Sequence, residues 1–252
     1  MKVVVIIPAA GLGTRMASAT AAKKGKPTPS KQFTELGGVP ILLHTLRKFV
    51  ASQRVSEILV ALRKDEIVGF RERLEMEAAD VLRKKVELVE GGEHRQQSVA
   101  NALNALAAAA DDIVLVHDAV RPFVTPEIIE EVIQGAEKHG AAIAGMPAVD
   151  TVKMVDRTSD GAQITATVPR AHVVMAQTPQ GFRFRLLKRA FDEATADGFL
   201  GTDEASLIER AGEPVHVVMG SPRNIKITTP GDLEIAELYI SQDDRRKVSL
   251  TG

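Results

Sequence analysis

The distribution of apolar residues along the chain predicts a series of buried strands. Short, continuous runs of apolar residues, many of them β-branched, occur at Val3–Ile7, Ile58–Leu62, Val86–Val89, Ile113–Val116, Ala141–Gly145 and Val215–Val218. Runs without polar alternation are typical of strands that are covered on both faces. We therefore expect these segments to form one sheet with packed layers on either side.

The longer segments between these runs have apolar residues at three- and four-residue spacing, which predicts helices. The predicted helices are a segment opened by Pro40 at its first helical position and running to Phe49, and then Asp65–Ala79, Arg95–Ala110, Pro126–His139, Arg183–Ala196 and Asp232–Ile240. This alternation predicts an α/β fold with a doubly wound, mostly parallel, Rossmann-like sheet. No linker or internal repeat divides the chain, so residues 1–252 are predicted to be a single domain.

Two segments interrupt the alternation. Residues 17–30 are small, polar and rich in Pro and Lys, which predicts a loop. In residues 148–173, two strand-like runs flank a turn at 159–161, which is typical of a β-hairpin. We expect this hairpin, at about 148–173, to project from the main sheet as an arm that packs on a second subunit.

Composition excludes several classes of function. The chain has 252 residues, 44% hydrophobic, and no cysteine, which excludes a disulfide scaffold, a thiolate metal site and a cysteine nucleophile. The 32 Lys and Arg residues are balanced by 33 Asp and Glu, and only 4% of residues are aromatic, so a nucleic-acid partner is not expected. No apolar run approaches the roughly 20 residues of a membrane span. We therefore expect a cytoplasmic protein without a membrane partner.

A glycine-rich turn follows the first predicted strand, in PAAGLGTRM at residues 8–16. Ligands bind at the carboxyl ends of strands in such sheets, and the backbone N–H groups of Gly11 and Gly13 could face phosphate oxygens. Met16 stands where the dinucleotide fingerprint has its third glycine, and no Gly-Lys-Ser/Thr of a P-loop follows. The alternative is a plain tight turn, but Arg15 favours a phosphate site because a guanidinium binds phosphate in a fixed geometry.

Lys31 follows the 17–30 loop in the sequence PSKQF. Alone, it would be interpreted as a solvated surface cation. Together with Arg15, however, it flanks a loop that could close over a charged ligand.

Two more polar clusters follow predicted strands. Gly91-Gly92-Glu93 lies before a helix that carries Arg95 and Ser98, and its backbone and hydroxyl groups could bind the edge of a base. The alternative is a simple strand-to-helix turn. Asp118 and Arg121 follow the fourth strand, where Asp118 could bind substrate hydroxyls or a metal, or could form a structural ion pair with Arg121. His117 is predicted to pack rather than to bind a ligand.

The motifs together resemble a known family. In order along nearly the whole chain they are PAAGLGTRM, SKQF, GVPILLHTL, EGGEHRQQSV, LVHDAVRPFV, VDTVK, TVPR, AQTPQGF, TDEASLIER and NIKITTPGDLEIAE. They resemble the cytidylyltransferases of the non-mevalonate isoprenoid pathway, which transfer CMP from CTP to 2-C-methyl-D-erythritol 4-phosphate. Two departures from the family pattern are the length of the 17–30 segment and Ser30, where the family usually has Pro before the lysine.

The resemblance implies a nucleotidyltransferase-type fold and a set of site residues. Catalysis is assigned to Arg15 and Lys31. Nucleotide binding is assigned to Ala9, Ala10, Gly11, Gly13, Gly92, Glu93, Arg95 and Ser98. Binding of the polyol phosphate is assigned to Asp118, Arg121, Thr151, Arg170, Thr178, Thr202 and Lys226.

The resemblance also implies partners and a cofactor. It implies a homodimer in which the residue matching Arg170 reaches the partner's site from the hairpin arm. It implies Mg²⁺, or another hard divalent cation, bound mainly through the CTP phosphates, with Asp118 as a possible ligand.

The chemistry of this reaction matches the residue types that the sequence offers. A phosphate monoester is already an anion at neutral pH because its second pKa is about 6, so no general base is needed. Fixed cations are needed, because negative charge builds on the phosphoryl and pyrophosphate oxygens.

Several alternatives stay open at the level of sequence. A pentitol-phosphate cytidylyltransferase that acts on ribitol 5-phosphate shares the glycine-rich turn, the lysine of SKQF, and the HDAVRPF and NIKIT-like motifs, whereas TDEASLIE and AQTPQGF look more like the methylerythritol enzyme. A nucleotide-binding protein without activity would also keep the fold. A NAD-binding module is disfavoured by Met16 and by Arg63-Lys64, which stand where an acidic residue would follow the second strand. Thr202 could instead be a helix N-cap, and Lys226 could simply point away from its apolar neighbours.

Overall fold

A seven-stranded sheet with helices on both faces forms the centre of the fold. The computed structural model describes residues 1–11 and 30–251, so Gly13, Arg15 and the predicted loop up to residue 29 lie outside the described residues. The described strands are β1 (Val3–Pro8), β2 (Glu35–Leu36), β3 (Val39–Pro40), β4 (Val55–Leu62), β5 (Lys85–Glu90), β6 (Ile113–Val116), β7 (Ala141–Pro147), β8 (Val152–Thr158), β9 (Gly161–Val168), β10 (Val174–Arg183) and β11 (His216–Met219). The described α-helices are α1 (Ile41–Ala51), α2 (Lys64–Glu77), α3 (Arg95–Ala105), α4 (Pro126–His139), α5 (Phe184–Ala196), α6 (Glu204–Arg210) and α7 (Pro230–Thr251).

The order of the strands creates a crevice for ligands. The sheet has the order β11-β7-β10-β6-β1-β4-β5. β10 is antiparallel to its neighbours β6 and β7, and the other neighbouring pairs are parallel, which confirms the predicted doubly wound, mostly parallel sheet. The chain runs outward from β1 to β5 and then returns to β6 on the other side of β1. Open α/β sheets bind ligands at the carboxyl ends of the strands where the order reverses in this way.

β1 illustrates why the strands are continuous apolar runs in the sequence. Val3, Val5 and Ile7 belong to the core on one face, together with residues of α1, α2 and α4. Val4 and Ile6 belong to the core on the other face, together with residues of α3, α5 and α6. Because both faces are covered, neither set of side chains has a reason to be polar.

The six strands predicted for the main sheet are all present, but β10 was missed. Its sequence includes Gln177, Pro179 and Gly181, which are uncommon in central strands. The register of β10 against β7 shifts between Ala176 and Gln180, so Pro179 lies where no regular ladder has to be maintained. The strand was missed because Pro and Gly usually argue against a central strand. At a register shift they are accommodated, since no regular ladder of hydrogen bonds has to pass through them.

Three of the predicted helices needed larger corrections, while α2 and α5 differ from their predicted bounds, Asp65–Ala79 and Arg183–Ala196, by at most two residues at either end. α4 has its predicted bounds, but α3 ends at Ala105 and not at Ala110. The chain turns there because Asp112 Oδ2 accepts a hydrogen bond of 2.8 Å from the backbone N–H of Ala109. Pro40 is the N-cap of α1 and pairs with Glu35, so its predicted place at the first helical position is wrong.

The third correction concerns α7, which was predicted over Asp232–Ile240 and extends over Pro230–Thr251. It packs with the loop after β6 in a small apolar cluster that includes Leu36, Phe123 and Ala236. None of the helices in the described ranges combines the length and the hydropathy needed to cross a membrane.

The predicted β-hairpin is present as a separate two-stranded sheet formed by β8 and β9. The two strands pair antiparallel, and their turn lies at Thr158–Gly161. Most residues of the hairpin are exposed, including the apolar side chains of Met154 and Ile164. The hairpin is therefore an arm with little packing against the described remainder of its own chain.

Candidate active site

The loops that follow β1, β5 and β6 meet at the crevice where the strand order reverses. A cleft of about 220 Å³ opens between them. Its lining includes Ala9, Ala10, Gly11, Lys31, Gly92, Glu93, Arg95 and Ser98. The structure thus brings together every described residue that was predicted to bind the nucleotide, along with Lys31.

Close contact between two loops shapes this first cleft. The backbone N–H of Gly91 donates to Leu62 O at 2.7 Å, which draws the loop after β5 against the sheet. A Cβ atom on Gly91 would lie 2.5 Å from the Cβ of Ala10, far inside van der Waals contact. The loop after β5 can approach the loop after β1 only because residue 91 is glycine.

Ser98 stabilises the same loop from α3. Its hydroxyl accepts a hydrogen bond of 3.0 Å from the backbone N–H of Gly92 and donates one of 3.1 Å to His94 O. Ser98 is buried, with 2% of its surface exposed. Gly91-Gly92 is therefore a strand-to-helix turn, and Gly92 also lines the first cleft; that this motif binds a base stays a prediction.

A second cleft, of about 190 Å³, lies beside the first and shares Arg95, Asp118 and Lys226 with it. Its lining also includes Arg121, Thr178 and Thr202. Five of the seven residues predicted to bind the polyol phosphate therefore line one cleft, namely Asp118, Arg121, Thr178, Thr202 and Lys226. The wall between the two clefts carries most of their charge.

Asp118 is the centre of that charge. Its Oδ1 lies 3.1 Å from Arg95 Nε, and its Oδ2 lies 2.9 Å from Lys226 Nζ and 3.3 Å from Arg121 Nε. Burial alone would raise the pKa of Asp118, but the three cations outweigh it and hold the pKa well below its ordinary value. The predicted ion pair with Arg121 is confirmed, and Lys226 turns away from its apolar neighbours toward the same carboxylate.

The described residues do not form a metal site of the protein's own. No group of three or more His, Asp or Glu side chains within residues 1–11 and 30–251 is arranged to hold a metal ion. Both oxygens of Asp118 already face cations, and a divalent ion would have to displace them. The possible role of Asp118 as a metal ligand therefore does not fit this donor set.

His117 and Thr178 fix the position of the Asp118 loop. Burial lowers the pKa of His117 to about 4, so the ring is neutral at physiological pH. Its Nε2 lies 3.1 Å from Arg121 O and its Nδ1 lies 3.1 Å from Thr178 Oγ1. The carbonyl can only accept, so we assign Nε2 as the donor and Nδ1 as the acceptor of the Thr178 hydroxyl proton. Thr178 Oγ1 in turn accepts from the backbone N–H of Asp118 at 3.1 Å.

These bonds refine two predictions. His117 packs edge-on against Phe49, as predicted, but it also holds the loop through hydrogen bonds. Thr178 was predicted to contact substrate; its surface is only 5% exposed, and its hydroxyl is engaged within the protein.

Comparison with known proteins identifies the family. The model of the 2-C-methyl-D-erythritol 4-phosphate cytidylyltransferase family matches residues 3–242. The chain belongs to this family. A relative of that name from Acidobacterium capsulatum is 57% identical over 98% of this chain and 100% of its own length. Another, from Solibacter usitatus, is 52% identical over 98% of both chains.

Solved structures agree with this result. A 4-diphosphocytidyl-2C-methyl-D-erythritol synthase from Anaerococcus prevotii is 31% identical, with a TM-score of 0.78 over 95% of this chain and 98% of its own. The Francisella tularensis 2-C-methyl-D-erythritol 4-phosphate cytidylyltransferase is 35% identical, with a TM-score of 0.76 over 94% and 99% of the two chains. The resemblance, the nucleotidyltransferase fold and the cytidylyltransferase class predicted from the motifs are therefore confirmed.

Two residues that the family resemblance assigned to the acceptor are not brought to the clefts of their own chain. Thr151 is exposed at the base of the arm, and Arg170 follows β9 and donates a hydrogen bond of 2.8 Å to Val149 O. Neither lines either of the two clefts described above. They are on the arm because 148–173 leaves the main sheet.

The N-cap alternative for Thr202 also needs correction. The N-cap of α6 is Asp203, whose side chain accepts a hydrogen bond of 3.0 Å from the backbone N–H of Ser206. Thr202 precedes the cap and is exposed to the second cleft.

Three buried polar residues that form a hydrogen bond or ion pair with predicted site residues were missed from the sequence. Gln32 is 2% exposed, and its side-chain amide donates a hydrogen bond of 2.5 Å to Ala9 O. This bond holds the Lys31 segment against the end of β1. Asn224 is fully buried, and its side-chain amide donates a hydrogen bond of 2.8 Å to Thr178 O, while its backbone carbonyl accepts one of 2.7 Å from Arg121 Nη1. Glu204 contacts Arg95. Their only signal was that each adjoins a predicted site residue or lies within two positions of one.

Proposed function

We propose that the protein transfers CMP from CTP to 2-C-methyl-D-erythritol 4-phosphate, with release of pyrophosphate, and so forms 4-diphosphocytidyl-2-C-methyl-D-erythritol in isoprenoid precursor synthesis. The observation that carries this proposal is the pair of adjacent clefts that share one cationic wall, formed by Arg95, Asp118 and Lys226. A transfer between two phosphate-bearing substrates needs two neighbouring sites of this kind. Membership of the family supports the choice of substrates.

The first cleft would take CTP. Ala9, Ala10 and Gly11 offer backbone groups at the end of β1, and small side chains there let phosphates approach closely. Gly92 and Glu93 also line this cleft, where their backbone groups could recognise cytosine, and Ser98 holds that loop in place. The scarcity of aromatic residues fits recognition by hydrogen bonds rather than by stacking.

The second cleft would take the polyol phosphate. Arg121 and Lys226 supply positive charge for the phosphate, and Thr202 supplies a hydroxyl for the polyol. We propose that Arg170 joins them from the arm of a partner subunit in a homodimer. The exposed apolar side chains of the arm, such as Met154 and Ile164, support a surface that is covered by another copy.

In the reaction, a phosphate oxygen of the acceptor attacks the α-phosphorus of CTP. A new P–O bond forms, and the bond from the α-phosphorus to the pyrophosphate oxygen breaks with its electron pair. No proton has to be removed from the nucleophile, since it is already an anion at neutral pH. Lys31, and Arg15 by family resemblance, would stabilise the negative charge that develops on the transferring and leaving groups.

We propose that Mg²⁺ enters as the complex of CTP, held by the triphosphate, because the described side chains offer no metal site. In that form it would neutralise part of the phosphate charge. The cytoplasmic location stays a prediction from the sequence.

An acceptor assay tests the proposed function. The purified protein is incubated with CTP and Mg²⁺ and with either 2-C-methyl-D-erythritol 4-phosphate or ribitol 5-phosphate, and pyrophosphate is measured. We expect release with the first acceptor. Release only with ribitol 5-phosphate would establish the pentitol alternative, and CTP binding without turnover on either acceptor would establish a protein that binds nucleotide without activity.

A further inference from the structure

Glu204 is a buried carboxylate for which the sequence offered no function. It is the first residue of α6 and is only 1% exposed. Its Oε1 lies 2.7 Å from Arg95 Nη1, whereas its Oε2 is buried without a hydrogen-bond partner. Burial raises the pKa of this carboxyl above its ordinary value. A buried carboxylate with only one hydrogen-bonded oxygen lowers the stability of the fold, so its presence here needs an explanation other than stability.

Arg95 is the residue through which Glu204 could act. Its guanidinium contacts Glu204 through Nη1 and Asp118 through Nε, and it lines both clefts. Two carboxylates from different elements fix the plane of the guanidinium, because its donors form a rigid fork. If Asp118 were its only partner, the guanidinium would be held through Nε alone. Its terminal nitrogens could then turn toward any phosphate that enters either cleft.

The position of Glu204 is itself fixed by the sheet. Gln180 in β10 is 1% exposed. Its side-chain amide donates a hydrogen bond of 2.8 Å to Asp203 Oδ2 and accepts one of 3.1 Å from the backbone N–H of Ala205. These two bonds hold the residues on both sides of Glu204. The first turn of α6 is therefore held against a central strand, and Glu204 is presented to Arg95 from a fixed point.

We propose that Glu204 is a positioning residue, which holds the Arg95 guanidinium in the wall between the two clefts so that it stays aligned between CTP and the acceptor. Without this second anchor, Arg95 would be drawn to the nearer polyanion, and the two substrates would be bound but misaligned. A change far from the reacting atoms that misplaces the substrates by about 1 Å can cost about 10²-fold in rate. The inference rests on the proposed function, since it concerns the alignment of those two substrates.

The test is Glu204→Gln. The amide keeps an oxygen that accepts from Arg95 and removes the negative charge, while Arg95 keeps Asp118 as its counter-ion. We expect kcat to fall by about 10- to 100-fold, with smaller changes in KM for CTP and for the acceptor. We expect at most a small fall in Tm, because Arg95 keeps both a hydrogen-bond acceptor at residue 204 and its ion pair with Asp118.

Glu209→Gln is the matched control. Glu209 lies on the same helix and is exposed, so the variant should keep the kcat, KM and Tm of the wild type. A merely structural role of Glu204 would lower Tm and the active fraction together. That result, or a Glu204→Gln variant with wild-type kcat and KM, would overturn the inference.

The wild type is assayed in parallel, so that two failures are distinguished. If it turned over neither acceptor, the proposed function would be lost and the inference with it. If it were active and Glu204→Gln matched it, only the inference would be overturned.

Discussion

At the scale of single residues, Asp118 holds three cations around one carboxylate. Arg95, Arg121 and Lys226 would repel one another at this spacing without a negative charge between them. Their positions are therefore set before any phosphate arrives. Preorganised charge of this kind is what phosphoryl transfer needs, since the reaction offers little covalent chemistry for the protein to perform.

Lys31 gives a direct test of the catalytic assignment. We expect Lys31→Ala to lower kcat by about 10²–10³-fold, which is the usual effect of removing one preorganised donor. Tm should stay near that of the wild type, because the Lys31 segment is also held by Gln32. Steady-state kinetics with CTP and the acceptor measure the effect. Lys138→Ala, at an exposed position on α4, is the control; equal kcat in both variants would contradict the assignment.

His117 predicts a dependence of stability on pH. Its pKa is lowered to about 4 in the folded state from the ordinary value of 6.5, so the unfolded chain binds more protons between these values. Stability therefore falls as the pH falls through this window. At pH 5, the loss from this residue should be ~2 kcal/mol relative to pH 7.

Urea unfolding at both pH values measures this loss. In His117→Gln, the amide nitrogen can still donate to Arg121 O, but nothing titrates at this position. The difference in unfolding free energy between pH 7 and pH 5 should therefore be smaller in the variant than in the wild type. The same difference in both proteins would contradict the role of His117.

At the scale of elements, the first cleft depends on how closely the loops after β1 and β5 approach each other. Gly91→Ala would put a Cβ 2.5 Å from the Cβ of Ala10 and 3.0 Å from Ser98 Oγ. Both neighbours are fixed by the backbone or by short side chains, so the loops must move apart. We expect a loss of about 1–3 kcal/mol in stability and a rise in KM for CTP that exceeds any rise in KM for the acceptor.

Gly69→Ala is the matched control for this variant. Gly69 lies within α2, and an added Cβ would meet nothing within 4 Å. Alanine should therefore stabilise the helix by ~0.5–1 kcal/mol and leave both KM values unchanged. Chemical denaturation and steady-state kinetics separate the two variants, and identical behaviour would argue against the crowding at Gly91.

Elements also show the limits of sequence patterns. Ile113–Val116 and Pro126–His139 were predicted with correct bounds, because sequence signals mark their ends. Polar residues flank the strand on both sides, and the helix has Thr125 as its N-cap, Pro126 in its first turn and Gly140 as its C-cap. β10 was missed because its Pro and Gly residues argue against a strand, and only the sheet shows that they lie at a register shift. α3 was predicted too long, because an alanine-rich end says nothing about the competing bond from Ala109 to Asp112.

At the scale of the whole molecule, the order of the strands places the two clefts side by side. The return of the chain from β5 to β6 puts the carboxyl ends of β1 and β6 together, and these ends carry Ala9–Gly11 and Asp118. The arm, in contrast, carries Arg170 away from the clefts of its own chain. A complete acceptor site would then require a second subunit.

Mixing two defective variants tests this arrangement. We expect Arg170→Ala to impair use of the acceptor and Lys31→Ala to impair transfer. In a mixed dimer, one site would combine the intact Lys31 of one subunit with the intact Arg170 of its partner. Unfolding and refolding the two variants together should therefore recover pyrophosphate release that neither variant shows alone. No recovery despite dimer formation, or a fully active monomer in gel filtration, would contradict a shared site.

The sequence by itself determined the alternation of strands and helices, the arm and the residues of the motifs. These features depend on local periodicity and on residue types, and both can be read directly from the sequence. Only the tertiary structure decided which polar residues bind within the protein and which face a cleft. Asp118, Thr178 and Glu204 each form a hydrogen bond with a residue 23 to 109 positions away, which their neighbours in the sequence do not predict. The reason is physical: the charge and burial of a side chain are set by neighbours in space, and the strand order chooses those neighbours.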